Sequence, residues 1–489
     1  MKLFRTVVLN RRMVWPGVLY LLIVAGALSH IFYIAAHNPV DHIWSDPERH
    51  WVQGIDAQRN DPMAMTDPVM YQLYIGALAK LTFKSKGLVA FYTILLSLLT
   101  PWLWYRFLRE LQPSKTVALT GALIFIWLPS WLSIYAYFMQ ETLMLPLLGL
   151  ALWMTWRCKR KQTLNSFLVM VLVWALVGLT RGICIPLAAV ACTWLWLAQP
   201  GKPLKAVYSI ILLSLILVPL SIRSYQQMGI WAPYGVGQMN VIYAKSGMKE
   251  LKITYRRHGA VWNFGFGSPS TGIEPFAPLS HWKTERTGKV FVYVDIDKGY
   301  EDWKTNLEYN KLTLSKYLWI TKENLIFLFF GESWPDSNRG YVLGNVNYWM
   351  RWIWAPLTVA IVVLTALFRR RLKGQWLLPS IILVWFVVQG LLPLALNEGR
   401  YRKPFEGLII AQAVLLLGAY VQWRKNAAMS QPDHSGSTEA SVVPENSVEN
   451  RLDQAALSDT GAVPSESAQV ENRRPDDHLD RIPDRSETE

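Results

Sequence analysis

What most constrains this chain is a recurrence of apolar runs long enough to cross a bilayer. A hydrocarbon core is about 30 Å thick and takes roughly 20 helical residues to span. The clearest runs cover residues 14–35, 87–107, 116–135, 352–368 and 376–396, with shorter ones at 142–156, 164–180, 183–198, 207–222 and 405–421. About ten spans follow from this pattern. Composition agrees: 52% of residues are hydrophobic and 17% charged, whereas a water-soluble domain carries about a quarter charged residues. The expected fold class is therefore an all-α polytopic membrane protein with about ten or more transmembrane helices. No small-residue cleavage site follows the first run, so it reads as retained and not as a signal peptide.

A net charge of +14 would suggest a nucleic-acid partner if the basic residues were clustered. They are instead sorted by side, and no nucleic acid is expected. Lys2, Arg5, Arg11 and Arg12 precede the first run, Arg106, Arg109 and Lys115 follow the second, and Arg157, Lys159, Arg160 and Lys161 follow 142–156. Lys202 and Lys205, then Arg369, Arg370, Arg371 and Lys373, and finally Arg424 and Lys425 continue the alternation. By the positive-inside rule these loops and both termini are cytoplasmic. Cys158, Cys184 and Cys192 fall in or beside apolar runs, so no disulfide framework or zinc spacing is read.

Four regions result: 1–222, an N-terminal transmembrane region whose first outer loop is 36–86; 223–348, an extracytoplasmic segment; 349–425, the C-terminal helices; and 426–489, a tail. In the second region 289–297 alternates as a strand does, and 307–330 reads as an amphipathic helix with Leu314, Tyr317, Leu318, Leu325 and Phe329 on one side. A small α+β segment is expected there. The GxG at 264–272 has neither the strand and helix context nor the lysine of a nucleotide site and reads as a turn. The tail is rich in Ser, Pro, Asp, Glu and Asn, too polar to bury a core, and is expected to be disordered.

Candidate chemistry gathers on the outer side. Asp46 follows the first run closely, between Trp44 and Trp51, where a carboxylate can meet a membrane-bound substrate; Ser45-Asp46-Pro47-Glu48 reads equally well as a helix start. Glu141 opens an apolar helix on the same side, where the helix dipole alone would favour it. Two such carboxylates could share a divalent cation, Mg or Mn, or an acceptor group. Arg181, Arg223, Arg400, Arg402 and Lys403 complete the set. Arg181 and the trio at 400–403 defy the charge rule for outer turns, and ionisable residues at membrane depth are functional candidates by default. Guanidinium groups suit a phosphate, although snorkelling toward lipid headgroups would place them there too.

Four stretches now carry a resemblance: Asp46 with Glu48 and then Asp67-Pro68-Val69-Met70-Tyr71; Gln140-Glu141-Thr142-Leu143; 217–229 with Trp231-Ala232-Pro233 and Asn240; and Gly399-Arg400-Tyr401-Arg402-Lys403-Pro404-Phe405. In order and spacing the chain, over roughly residues 10–425, resembles the polyprenyl-phosphate-dependent glycosyltransferases of the GT-C type, in particular the protein mannosyltransferase-like and aminoarabinose transferase-like group. Pro47 stands where many relatives have a second acid, and Glu141 replaces an aspartate, which bears on metal binding first.

The resemblance implies a bacterial inner (plasma) membrane enzyme that takes a sugar from a polyprenyl-phosphate donor and passes it to a lipid, glycan or protein acceptor outside the cytoplasm. It implies Asp46 as general base and Glu141 in support, Arg181, Arg400 and Arg402 on the donor phosphate, with Arg223 and Lys403 beside them. A polyprenyl phosphate is already a good leaving group, so the demand falls on stabilising its negative charge. Two other classes stay open: a polysaccharide polymerase or ligase, and a transporter or flippase of lipid-linked sugars.

Overall fold

Inside a bilayer a backbone must satisfy its own hydrogen bonds, which is why apolar runs of this length fold as helices. The computed structural model describes residues 2–44, 46–55, 68–198, 201–228, 231, 250–256, 259–263, 290–295, 314–331, 333, 335–336, 340–372, 375–391 and 399–429. Its helices are α1 (Lys2–Ala36), α2 (Asp46–Ile55), α3 (Val69–Thr82), α4 (Lys86–Leu111), α5 (Lys115–Ile126), α6 (Pro129–Ser133), α7 (Gln140–Lys161), α8 (Leu164–Thr180), α9 (Ile185–Ala198), α10 (Lys202–Met228), α11 (Leu314–Phe330), α12 (Val342–Leu367), α13 (Leu377–Phe386) and α14 (Lys403–Met429). A 3-10 turn, Gly399–Arg402, runs directly into α14. Glu250–Arg256 (β1), Gly259–Asn263 (β2) and Val290–Asp295 (β3) pair as an antiparallel sheet in the order β2-β1-β3. The GxG at 264–272 and the tail from 430 onward lie outside the described residues.

Among the described residues five helices are long and apolar enough to cross a membrane: Gly17–Ala36, Lys86–Leu111, Pro203–Gln226, Val342–Leu367 and Gly399–Arg424. Lys115–Ile126 and Pro129–Ala136 make a sixth if counted together, although the pair is bent by 50°. The sequence reads 116–135 as one straight span, and the break has a local cause. Leu128 is extended (φ −71°, ψ 111°) and Pro129, which has no N–H to give, starts a new helix. Leu164–Thr180, Gly182–Ala198 and Leu377–Leu391 are apolar but shorter. Large apolar side chains face outward along these helices, with Leu21, Leu215, Val359 and Leu367 all more than half exposed. Such faces need lipid to cover them, and the chain is a membrane protein.

The interior is built on tryptophan. Trp104 and Trp131 are almost wholly buried, with ring centroids 5.2 Å apart, and Trp131 stacks on Phe125 at 5.0 Å. Each indole N–H is spent on a backbone carbonyl, Trp104 on Leu145 at 2.9 Å and Trp131 on Lys403 at 3.1 Å. The rings reach these positions because glycine faces them. A Cβ added at Gly407 of α14 would come within 2.5 Å of Trp104 and 2.7 Å of Trp131. Gly407→Val is therefore expected to destabilise the protein by about 1–3 kcal/mol, the usual cost of overpacking a filled core. Denaturant unfolding in detergent checks this.

A smaller cluster docks α2. Trp51 stacks on Phe138 with centroids 4.5 Å apart, and His50 meets Tyr71 of α3 edge-on at 5.0 Å. Trp51, Tyr71, Ile75, Leu78 and Phe138 are buried together. This packing fixes the helix whose first residue is Asp46.

Candidate functional site

Asp46 stands at the start of α2, where Pro47 and Glu48 complete a favourable first turn. Its carboxylate is held from two sides. Arg49, on the same helix, lies 3.3 Å from Oδ1, and Arg400 donates through Nη1 to Oδ2 at 3.1 Å across 354 residues of sequence. Burial alone would raise the Asp46 carboxyl. The charges of Arg49 and Arg400, with His50 and the Arg400 hydrogen bond, outweigh it and hold the group well below the usual carboxylate range.

Glu141 opens α7 and is 2% exposed. Arg181, the extended residue that caps the C-terminus of α8, donates to its Oε1. Glu141 Oε2 is buried and accepts no hydrogen bond among the described residues. Tyr401 links the two ion pairs: the guanidinium of Arg181 sits 4.5 Å from its ring centroid and that of Arg400 sits 5.2 Å away. Cations over an aromatic face are attracted by its quadrupole, so the ring holds both guanidiniums in place. The charge of Arg400 also reaches Glu141.

Arg402 and Lys403 turn away from this group. Arg402 is 1% exposed; it pairs with Glu406 at 2.9 Å and donates to the carbonyls of Leu328 and Phe329 at 3.0 and 2.6 Å. These are C-terminal carbonyls of α11, which lack helical partners and carry the negative end of the dipole. Glu406 in turn accepts from Ser130 of α6. Lys403 is 0% exposed and donates to the Ser130 carbonyl at 2.7 Å and to Asp336 at 2.6 Å. Asp336 also accepts from Ser133 at 2.5 Å, Ser333 at 2.7 Å and Asn347 at 3.1 Å.

Residues 400–403 therefore split into one arginine that meets Asp46 and two cations that lock the turn into the interior. Arg223 lies near the end of α10, partly buried, and is not a member of the ion pairs named above. Sequence reasoning did not single out Arg49, His50 or Asp336. Glu406, four residues after Arg402, carried the spacing of a helical ion pair and could have been found.

The donor set does not fit a Mg or Mn ion shared by Asp46 and Glu141. Both carboxylates already face guanidinium groups, and Arg400 acts on both. A divalent cation would have to displace them against their own charge. Among the described residues no three His, Cys, Asp or Glu side chains converge. The arrangement instead suits an anion: three guanidiniums, from Arg49, Arg181 and Arg400, stand against two carboxylates. In comparisons with known proteins, no family model, curated protein or solved structure gives a significant match to this chain.

Proposed function

We propose that this chain is a membrane glycosyltransferase that moves a sugar from a polyprenyl-phosphate donor to an acceptor on the extracytoplasmic side. The observation that carries this reading is the convergence of Arg400, Arg181, Asp46 and Glu141, from four distant segments, around Tyr401. With Arg49 counted beside Asp46, three guanidiniums stand against two carboxylates, and the one excess positive charge matches a phosphodiester monoanion, the charge state of a sugar linked through a single phosphate. A diphosphate-linked sugar, the substrate of a polymerase or ligase, carries more negative charge than the group balances. In the transfer step Asp46 takes the proton of an acceptor hydroxyl. The acceptor oxygen bonds the anomeric carbon, and the anomeric C–O bond breaks with its electron pair leaving on the polyprenyl phosphate. Arg400 and Arg181 stabilise the charge on that phosphate. Arg402 and Lys403 serve by holding the turn that presents Arg400.

The topology that goes with this reading counts the shorter apolar helices as spans, about ten in all. Both termini are then cytoplasmic, and 223–348 forms an extracytoplasmic α+β segment above a bacterial inner membrane. Single cysteines at Ser85 and Lys161, both exposed, test the orientation. An impermeant reagent added outside sealed cells is expected to label Ser85→Cys and spare Lys161→Cys. The reverse pattern would invert the protein.

A second reading, transport of a lipid-linked sugar, draws on the bent pair at 115–136 and the π-helical turn Val387–Leu391, because transporters use interrupted helices. Purified protein and a radiolabelled polyprenyl-phosphate sugar separate the classes. Release of free polyprenyl phosphate marks the transferase; release of polyprenyl diphosphate from a diphosphate-linked sugar marks the polymerase or ligase. No release with movement of donor between leaflets marks the transporter.

A further inference from the structure

Asp46 is badly suited, as the structure holds it, to the work of a base. Both of its oxygens are engaged: Oδ1 faces Arg49 at 3.3 Å and Oδ2 accepts from Arg400 at 3.1 Å. A carboxylate stabilised by two guanidiniums has little affinity for a proton. Arg400 is the partner that can be drawn off. Arg49 belongs to the same helix, three residues on, whereas Arg400 arrives from the turn before α14 and lies over Tyr401 beside Arg181. An anion placed against Arg181 and Arg400 therefore competes with Asp46 for Arg400 and with Glu141 for Arg181.

We propose that Arg400 is a switch between Asp46 and the phosphate of the donor, so that arrival of the donor restores the proton affinity of Asp46. The inference rests on the glycosyltransferase reading and adds regulation to that same site. A phosphodiester takes the Arg400 hydrogen bond, and its own negative charge then lies near Asp46. Both changes favour the protonated carboxyl, and burial of Asp46 works in the same direction once the guanidinium is shared. Without donor, Asp46 is an anchor for Arg400 and does not activate water or a stray hydroxyl.

Linkage gives a test. If the donor raises the proton affinity of Asp46, binding takes up protons, and affinity must rise as pH falls. The groups that face Asp46 are Arg49 and His50 on α2 and Arg400 from the 399–402 turn; Tyr71 of α3 lies behind His50, and Glu141 and Arg181 lie beyond Arg400. His50 is the imidazole that faces Asp46 from the same helix, so it needs its own control.

The probe is a short isoprenyl methyl phosphodiester, singly charged from pH 7 to pH 5, with the full-length protein in a maltoside detergent that carries no phosphate. Binding is expected to tighten by roughly threefold or more over that interval in the unaltered protein, to lose this dependence in Asp46→Asn and to keep it in His50→Gln. Phosphatidylglycerol at equal concentration is expected not to compete. Binding that is strong but independent of pH overturns the switch and leaves the transferase reading standing. So does a dependence that survives in Asp46→Asn or vanishes in His50→Gln. Equal competition by phosphatidylglycerol assigns Arg400 to a headgroup and overturns it as well. Absence of binding by the unaltered protein removes the transferase reading, and the switch with it.

Discussion

Asp46→Asn is expected to lower turnover by about 10²–10⁴-fold, the range for removing a general acid or base, while the protein inserts and folds as before. Asparagine keeps the size of the side chain and can still accept from Arg400, but it has no useful proton affinity. Some stability at neutral pH is expected to be lost, because Arg49 and Arg400 hold the Asp46 carboxyl low and the asparagine gives up that charge. The check is the initial rate of polyprenyl phosphate release, measured alongside an unfolding curve for the same preparation. Full activity in a correctly folded Asp46→Asn protein would remove Asp46 from the chemistry.

Lys403→Met should act in the opposite way, through stability. Lys403 and Asp336 are both 0% exposed and 2.6 Å apart, so deleting the ammonium leaves a carboxylate in the interior with only neutral donors. Breaking a buried pair from one side costs about 3–5 kcal/mol. The double variant Lys403→Met with Asp336→Asn is expected to regain most of that loss, because no uncompensated charge remains. Unfolding free energies of both variants in mixed micelles decide the matter. A loss under about 1 kcal/mol in the single variant would mean that Asp336 draws little from Lys403.

Much of the architecture was legible because hydrophobic runs are local. The reading of 87–107 as a span is contained in α4 (Lys86–Leu111). The bend between Ile126 and Pro129 was missed because hydropathy averages over a proline that sits among apolar neighbours. The last helix runs past the expected boundary at 425 to Met429, since nothing in 426–429 forbids another helical turn. The amphipathic helix expected over 307–330 is described from Leu314, and its face is only partly buried: Leu314 and Leu318 are exposed while Phe329 is buried.

The candidate site divides along the same line. Asp46, Glu141, Arg181 and Arg400 stood out individually because each is an ionisable residue at the end of an apolar run. That Arg400 would reach Asp46 and Arg181 would reach Glu141 depends on helix packing, which no local pattern carries. Arg402 and Lys403 were grouped with Arg400 because the whole cluster defies the charge rule for an outer turn and belongs to the stretch 399–405 that carries the resemblance. In a 3-10 turn that leads into a helix, successive side chains leave in different directions, and these two end in separate buried pairs.

The pair between Lys403 and Asp336 also bears on how the chain is made. Its members are 67 residues apart, and the lysine is the later of the two to be synthesised. At about 5–20 residues per second, Asp336 waits on the order of 3–13 s for its counter-charge. Over that interval the carboxylate cannot settle in the interior, and α6, whose Ser130 and Ser133 take part in the same network, lacks its final contacts. Biogenesis of this protein therefore closes from the C-terminal end: entry of the last helix is the event that seals the earlier ones, and a ribosome stalled before residue 403 would leave behind an open bundle with an unmet acid.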